Sequence, residues 1–264
     1  MYKLGFIGVG NMGGALLSAA LKETNANDVI IADYSKEKTE TLKQKHGLSV
    51  GGNQDVAKNA KFIFLGVKPQ VLPSVLQRIA PVLKSRHDEF CLVSMAAGVK
   101  IQKIIDILGF LVPVIRIMPN MPVSIGEGMV LYCTADKTKT DELVEAMQYS
   151  GVWAKIDEKD IDAASAVSGC GPAFAFMFIK ALALGGEKSG LPFETALGLA
   201  AQTVMGSAKM LMQSEKTADE LRDAVCSPGG STIEGVKSLN ADNFDEVIAT
   251  AIDKSFKRTI ELGK

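Results

Sequence analysis

The stretch that decides the fold is GFIGVGNMGGAL, residues 5–16, near the start of the 264-residue chain. Gly8-x-Gly10-x-x-Gly13 follows an apolar run that predicts a strand and opens a run that predicts a helix. Asp33 lies twenty residues beyond Gly13, at the end of the next apolar run. This context is typical of a dinucleotide-binding βαβ unit, because Gly8 permits a tight turn, Gly10 admits a pyrophosphate and Gly13 allows close helix packing. The alternative is a tight strand–helix turn that binds nothing.

The sequence leaves the choice between NADPH and NADH open. A carboxylate at Asp33 accepts a hydrogen bond from a ribose 2′-hydroxyl and repels a 2′-phosphate, which favours NADH. Ser35, Lys36 and Lys38 follow immediately and offer a hydroxyl and positive charge to that phosphate, which favours NADPH. Asp33 is equally suited to a turn or to capping the next helix. We therefore expect NADPH, NADH or both as cofactor, with Asp33, Ser35 and Lys36 among the binding residues.

Short apolar runs alternate with amphipathic runs through the first 156 residues. The apolar runs, which predict strands, are YKLGFIG, DVIIAD, AKFIFLGV, EFCLVSM and PVIRIM, with GMVLYCTA and GVWAKI completing the sheet. The helical patterns cover residues 14–22, 36–46, 70–83, 100–108 and 141–149. This alternation predicts an α/β fold over residues 1–156, a Rossmann-like doubly wound sheet that is mainly parallel.

After about Ile156 the pattern changes to long helical segments rich in Ala, Leu and Met. No convincing strand is visible from Asp160 onward, and breaks fall near Gly190, Ser214, Pro228 and Asn240. About a hundred residues of apolar helix bury their surface poorly alone. Residues 157–264 are therefore predicted to form an all-α dimerisation domain that shares its core with a second subunit, with residues 163–184 in the interface.

Composition and charge restrict the class of protein. Hydrophobic residues make up 47% of the chain and charged residues 22%, and a net charge of −1 offers no global attraction for nucleic acid or anionic lipid. The four cysteines form no CxxC pair, so we expect reduced thiols in a cytoplasmic protein without a metal site. No signal peptide is recognisable. The apolar segment 163–184 is broken by glycine, proline and lysine, so we interpret it as a buried helix and not as a membrane span.

A second motif, CSPGGSTIEG at residues 226–235, places two glycines directly before a helical pattern. Ser231-x-x-Glu234 is typical of a capping box, which predicts that Ser231 starts a helix. Gly229 and Gly230 are expected to expose backbone N–H groups there. Such a helix N-terminus attracts a small carboxylate, with the Thr232 hydroxyl beside it. The alternative is a capped turn without a ligand.

LRDAVCSPGGSTIEGVKSLN, residues 221–240, resembles the signature of pyrroline-5-carboxylate reductases. Further segments resemble the same family in order and spacing, namely GFIGVGNMG, VKPQ, SMAAGV, RIMPNMP and SGCGPAF. The resemblance covers essentially the whole chain. It implies a Rossmann domain, a helical dimerisation domain and the NAD(P)H-dependent reduction of 1-pyrroline-5-carboxylate to L-proline. The implied partners are a cyclic imino acid and further copies of the chain, in a dimer or a larger ring of dimers.

The resemblance also implies the site residues, position by position. Nucleotide binding is expected at Ile7, Gly8, Val9, Gly10, Asn11, Met12, Asn53, Val67, Lys68, Pro69 and Ala97, with Met118, Pro119 and Asn120 backing the nicotinamide. The substrate carboxylate is expected at Ser227, Gly230, Ser231 and Thr232. Thr232 is the expected hydrogen-bond partner of the ring nitrogen and hence the catalytic residue, since hydride transfer requires no His, Cys or Lys nucleophile. Glu158 is expected to reach the substrate, or else to be a solvated residue at the domain junction.

Two rival interpretations predict other features. A 3-hydroxyisobutyrate- or 6-phosphogluconate-type dehydrogenase opens similarly but uses a Gly-x-x-x-Lys-x-x-Asn-like setting, whereas Lys180 is followed by ALALGG. A nucleotide-binding redox sensor does not need an intact SPGGST loop. The chain also departs from the usual Ser, Tyr and acidic residues of the reductases at Cys170, Phe174, Lys180 and Leu184, none of which removes a group that the reaction needs.

Overall fold

The computed structural model describes residues 1–134 and 136–263. The chain divides into two compact units, of which the first comprises Met1–Cys170 and the segment from Lys254 onward, and the second comprises Gly171–Asp253. Ala135, at the end of the run GMVLYCTA, and the last residue, Lys264, lie outside the described residues.

The first unit is built on an eight-stranded sheet with the order β3-β2-β1-β4-β5-β6-β7-β8. The strands are β1 (Tyr2–Ile7), β2 (Val29–Ala32), β3 (Ser49–Val50), β4 (Ala60–Leu65), β5 (Cys91–Ser94), β6 (Val114–Pro119), β7 (Gly128–Cys133) and β8 (Gly151–Lys155). Strands β1 to β6 are parallel, β7 is antiparallel to β6, and β8 is parallel to β7. The chain winds outward in both directions from β1 and β4, so the predicted doubly wound, mainly parallel sheet is confirmed.

Helices cover both faces of this sheet. They are α1 (Asn11–Ala20), α2 (Lys36–His46), α3 (Asn53–Asn59), α4 (Leu72–Lys84), α5 (Ile101–Leu108), α6 (Lys137–Ala146) and α7 (Ile161–Ser168). Phe6 and Phe64 stack on one face with ring centroids 4.4 Å apart, while Ile7 and Leu65 belong to the core on the other face. Because both faces are buried, the strands are continuous apolar runs without alternation, which is the pattern that predicted them.

The sequence prediction missed one short element pair. Strand β3 has two residues and helix α3 has seven, with the polar sequence NQDVAKN. Neither is long enough to display an apolar period, so tertiary contacts define them: β3 pairs with β2, and α3 packs on β1 and α4.

The second unit is all-α, as predicted. It contains α8 (Gly171–Lys188), α9 (Phe193–Gln213), α10 (Ala218–Val225), α11 (Ser231–Ala241) and the first part of α12 (Phe244–Leu262), whose last part belongs to the first unit. Helix α7 also groups with the first unit, whereas the sequence prediction begins the helical domain at residue 157.

Much of the apolar surface of the second unit is exposed in the single chain. Phe176 is 65% exposed, Met177 70% and Met212 79%. The stretch Ile161–Lys188 is also long and apolar enough to cross a membrane by length and composition alone, and only 6% of its most apolar window is buried. An exposed apolar surface of this kind calls for a partner surface.

Candidate active site

The predicted cofactor residues lie at one edge of the sheet. Gly8–Met12 follow β1, Asp33 follows β2, Asn53 opens the helix after β3, Val67–Pro69 follow β4, and Ala97 follows β5. Met118 and Pro119 end β6, and Asn120 follows it. These six strands are parallel, so their carboxyl ends meet at the same edge. The topology thus collects segments that are far apart in the sequence.

Three glycines pack against each other at the switch point between β1 and β4. Gly8 has φ +96° and Gly66 donates its N–H to the Ile7 carbonyl oxygen at 2.8 Å. A Cβ atom at Gly13 or at Gly66 would collide with the Gly8 carbonyl oxygen. Gly8 and Gly13 were predicted for this role, whereas Gly66 was missed, although a glycine directly after a buried strand is a signal for it.

Gly10 differs from these three glycines because it faces open space. A Cβ atom there would meet no atom within 4 Å, and its φ of −66° suits any residue. Gly10 is the N-cap of α1, and no side chain caps that N-terminus among the described residues. Open N–H groups beside a space that a Cβ would fill are what an approaching pyrophosphate requires, so this edge fits a dinucleotide.

The carboxylate of Asp33 binds backbone N–H groups of the glycine loop, residues 8–13, and of the turn after β2. Its Oδ2 atom accepts the Val9 N–H at 2.8 Å and its Oδ1 atom accepts the Ser35 N–H at 3.0 Å. The cap of α2 is Ser35, whose hydroxyl accepts the Lys38 N–H at 3.3 Å. Of the two structural alternatives, Asp33 is therefore a turn residue and not the cap, and its contact with the ribose stays a prediction.

A groove of about 590 Å³ lies next to this turn, between α1 and α2. Ser35 and Lys38 line it, together with Glu37 of opposite charge, and the neighbouring Tyr34 is 98% exposed. A hydroxyl and an ammonium group beside the end of β2 are the groups that suit a ribose 2′-phosphate.

The residues expected at the nicotinamide end are tightly held. Met118 belongs to a buried apolar cluster against which Ala97 packs. Asn120 is buried, and its Nδ2 atom donates to the Ser168 carbonyl oxygen at 3.0 Å while its Oδ1 atom accepts the Met129 N–H at 2.9 Å. Both ends of the Asn120 side chain therefore connect β6 to β7 and α7.

A buried charge cluster lies behind this segment, and sequence reasoning missed it apart from Glu158. Arg116 on β6 is 0% exposed and pairs with Asp162 of α7, and its Nη1 atom is 3.6 Å from Glu158 Oε1. The signal was a lone arginine inside the apolar run PVIRIM. Glu158 is not simply solvated, because its Oε1 atom also accepts the Ile101 N–H at 2.7 Å.

Cys133 on β7 is the cross-strand neighbour of Arg116 on β6. Burial raises the pKa of the Cys133 thiol to about 11, and the negative charge of Glu158 adds to the effect. Burial likewise raises the pKa of Cys91 to about 12. Both are therefore neutral thiols at physiological pH and not nucleophiles. Within residues 1–134 and 136–263, no group of three or more His, Cys, Asp or Glu side chains is arranged to hold a metal ion.

The SPGGST loop of the second unit ends in a helix N-terminus without a side-chain cap. Helix α11 begins at Ser231, as predicted, but its N-cap is Gly230, and Glu234 pairs with Lys237 at 2.7 Å. The predicted capping box is therefore wrong. A capping box does form at Thr217 and Glu220, at the start of α10.

The backbone donors of this loop also differ from the prediction. The Gly230 N–H donates to the Ser227 carbonyl oxygen at 2.9 Å, because Gly229 has φ +70° and turns the chain back. Gly230 is thus not a source of an exposed N–H. The N–H groups of Ser231 and Thr232 in the first turn of α11 remain as the donors, and both side chains are exposed.

The fold and the glycine edge define a dinucleotide-binding oxidoreductase with a helical C-terminal unit. Residues 158–262 match the family model for pyrroline-5-carboxylate reductase dimerisation, and residues 3–98 match that for NADP oxidoreductase, coenzyme F420-dependent. Pyrroline-5-carboxylate reductase 2 of Homo sapiens is 36% identical over 98% of this chain and 83% of its own length. The reductase of Aquifex aeolicus is 33% identical over 98% of this chain and 97% of its own.

A solved structure agrees with these relatives. The Plasmodium falciparum pyrroline carboxylate reductase is 32% identical, with a TM-score of 0.90 over 100% of this chain and 98% of its own. The chain belongs to the pyrroline-5-carboxylate reductase family, so the predicted family and enzyme class are confirmed. The dimerisation model covers the helices with exposed apolar faces, which supports self-association of the chain.

Gly10 and Gly13 are expected to fail in different ways when each is replaced by alanine. Gly13→Ala forces the loop away from Gly8, so both the melting temperature and the affinity for NADPH should fall. Gly10→Ala meets no atom and should cost about 1 kcal/mol of stability or less, while the dissociation constant for NADPH rises at least tenfold. Thermal unfolding and isothermal titration calorimetry measure both. Unchanged NADPH affinity in Gly10→Ala would remove Gly10 from the cofactor site.

Asp33→Ser is expected to weaken the binding of NADH and NADPH alike, because it releases the Val9 and Ser35 N–H groups and loosens the loop. Losing hydrogen bonds to a charged group predicts roughly a tenfold or larger rise in both dissociation constants. Asp136→Ser is the matched control, since the Asp136 carboxylate also accepts a backbone N–H, that of Lys139 at 3.0 Å, but lies outside the predicted cofactor residues. A change in the NADPH/NADH ratio of tenfold or more would instead mean that Asp33 faces the ribose.

Proposed function

We propose that the chain reduces 1-pyrroline-5-carboxylate to L-proline, the last step of proline biosynthesis, with NADPH or NADH as hydride donor. The observation that carries this proposal is the N-terminus of α11, where no side chain caps the N–H groups of Ser231 and Thr232. A carboxylate of a small substrate satisfies such donors and the positive end of the helix dipole. The NADP bound to the Plasmodium falciparum relative supports the cofactor.

The loop supplies the substrate contacts in this proposal. The N–H groups of Ser231 and Thr232 bind the carboxylate, with the Ser227 hydroxyl nearby, and Gly230 shapes the turn that exposes them. The Thr232 hydroxyl accepts a hydrogen bond from the protonated ring nitrogen, which keeps the imine carbon electrophilic. The reduced nicotinamide supplies the hydride to that carbon when it is bound. The reaction requires no nucleophile from the chain.

In this proposal the two predicted domains have different roles. Residues 1–156 bind the dinucleotide, through the edge residues described above, and residues 157–264 provide dimerisation and the substrate loop. Glu158 is accounted for by its contacts with Arg116 and Ile101, and a direct substrate contact stays a prediction. We further propose a cytoplasmic enzyme that works as a homodimer or a larger homo-oligomer, with no nucleic-acid or membrane partner.

The reaction is tested by following NADPH and NADH oxidation with 1-pyrroline-5-carboxylate as substrate, with L-proline identified as the product. Thr232→Ala should lower kcat/KM by roughly 10- to 1000-fold, the range for losing one preorganised polar contact. The dissociation constant of NADPH should hardly change, because the nucleotide residues lie in the first unit. Turnover by the wild type without proline formation would overturn the proposed reaction.

Thr217→Ala is the matched control for Thr232. Thr217 is a true cap, since its hydroxyl accepts the Glu220 N–H at 3.2 Å, and its loss should cost about 0.5–2 kcal/mol of stability while kcat/KM is retained. If Thr232→Ala behaves in the same way, with a lowered melting point and normal turnover, Thr232 is only a residue of the first helical turn.

Self-association is expected to depend on the apolar face of the second unit. The wild type should run in light scattering at no less than twice the monomer mass of 28.1 kDa, and Phe176→Asp should shift it toward monomer with loss of activity. Leu111→Asp is the control, because Leu111 is 85% exposed in the first unit and its replacement should leave the mass unchanged. A monodisperse active wild-type monomer at low micromolar concentration contradicts the proposed assembly.

A further inference from the structure

Arg116 occupies a position in β6 that couples it to the nicotinamide end of the sheet edge. It lies two and four residues before Met118 and Asn120, and residues at this spacing point to the same face of an extended chain. Its guanidinium reaches Asp162 and Glu158, both on the segment that carries α7. The face that carries Met118 is therefore fastened to α7 by charge as well as by apolar packing with Ile161.

Glu158 extends this connection to the loop after β5. Helix α5 begins at Ile101, and its N-cap, Lys100, provides no side-chain hydrogen bond. The carboxylate of Glu158, 57 residues further along the chain, accepts the Ile101 N–H and so caps α5 from a distance. Ala97 lies four residues before Ile101, in the loop that this cap holds. Arg116 and Ile101 thus share one oxygen atom of Glu158.

Asn120 makes a second connection between β6 and α7, besides the one that Arg116 makes. Asp162 lies near the start of α7 and Ser168 at its end, so Arg116 and Asn120 fasten the two ends of α7 to β6. The segment from Arg116 to Asn120 is held at both ends by directional contacts.

A buried arginine between two carboxylates contributes little net stability compared with apolar side chains of the same volume, because removing the charges from water is costly. The Nη2 atom of Arg116 donates a hydrogen bond to Asp162, which fixes the direction of that pair, whereas Nε and Nη1 have no hydrogen-bond partner among the described residues and Nη1 attracts Glu158 by charge at 3.6 Å. The cluster is thus better suited to setting geometry than to stabilising the fold.

We propose that Arg116, through Glu158 and Asp162, is a positioning residue for hydride transfer: it holds the Ala97 loop and the Met118–Asn120 segment in one arrangement against the nicotinamide. This inference rests on the proposed function for the identity of the reaction. It assigns to Glu158 a role that acts through the cofactor segments and not through contact with the substrate.

Glu158→Gln tests the proposal most directly. Glutamine retains an oxygen for the Ile101 N–H but loses the charge that faces Arg116. A misplaced reacting group lowers the rate of the chemical step. We therefore expect kcat to fall about tenfold or more while KM for NADPH changes less than about threefold. With NADPH deuterated at the transferred position, the primary isotope effect on kcat should exceed that of the wild type. Arg116→Lys should recover part of the kcat that Arg116→Met loses.

The control is Lys61→Met, which breaks the 2.7 Å ion pair with Glu142 in the same unit and involves no predicted site residue. All variants are compared well below their melting temperatures, so that a loss of folded protein does not enter kcat. If Arg116→Met does not fold, Glu158→Gln decides alone, because the Glu158 side chain is 32% exposed. A wild-type kcat and isotope effect in Glu158→Gln, or a loss no larger than in Lys61→Met, would overturn the proposal.

Amide hydrogen exchange separates this inference from the proposed reaction. Glu158→Ala should accelerate exchange in peptides covering residues 96–108 and abolish the protection that NADP⁺ gives them, whereas Lys61→Met should do neither. This measurement requires no turnover. A wild type that fails to reduce 1-pyrroline-5-carboxylate would therefore overturn the proposed function but would leave the exchange test of the positioning role intact. Wild-type exchange and wild-type NADP⁺ protection in Glu158→Ala would overturn the positioning role.

Discussion

The close approach of three glycine backbones at Gly8, Gly13 and Gly66 is the constraint on which the rest of the first unit depends. No side chain fits where the Gly8 carbonyl meets the other two residues. The start of α1 and the end of β4 can therefore approach β1 until backbone touches backbone. This contact sets the position of the α1 N-terminus at the switch point, and the carboxyl edge of the parallel strands takes its shape from it. Asp33 then secures the loop from the β2 side.

The fold could be predicted from the sequence because its signals are local. A strand buried on both faces is an apolar run, and a helix that starts after a glycine loop is recognisable within a few residues. The spacing from Gly13 to Asp33 and the SPGGST loop then indicated where ligands bind. Elements without a local signal were missed, as the two-residue strand β3 and the polar helix α3 illustrate.

The interactions that the sequence did not reveal are those made across long separations. Arg116 meets Asp162 across 46 residues, and Glu158 caps α5 across 57. In the sequence, Arg116 is one charge within a strand, and Glu158 is one acid before a helix, with nothing to pair them. The capping box predicted at Ser231 failed for a related reason, because Glu234 turns to Lys237 and Gly229 provides the turn. Side-chain partners are chosen by tertiary structure where the local pattern permits several.

The helix N-termini of this chain differ in whether a side chain caps them. The N-caps of α2 and α10 are Ser35 and Thr217, whose hydroxyls each accept a backbone N–H that has no partner within the helix. The N-caps of α1 and α11 are Gly10 and Gly230, which have no side chain to accept a backbone N–H. A side-chain cap stabilises a helix but occupies the donors that an anion would use. The two helices that the proposed function needs for a pyrophosphate and a carboxylate are among those without a side-chain cap, as are α4, α7 and α9, so an open N-terminus permits an anion site and the glycine loop before it admits the ligand. Helix α5, which needs no anion, receives the carboxylate of Glu158.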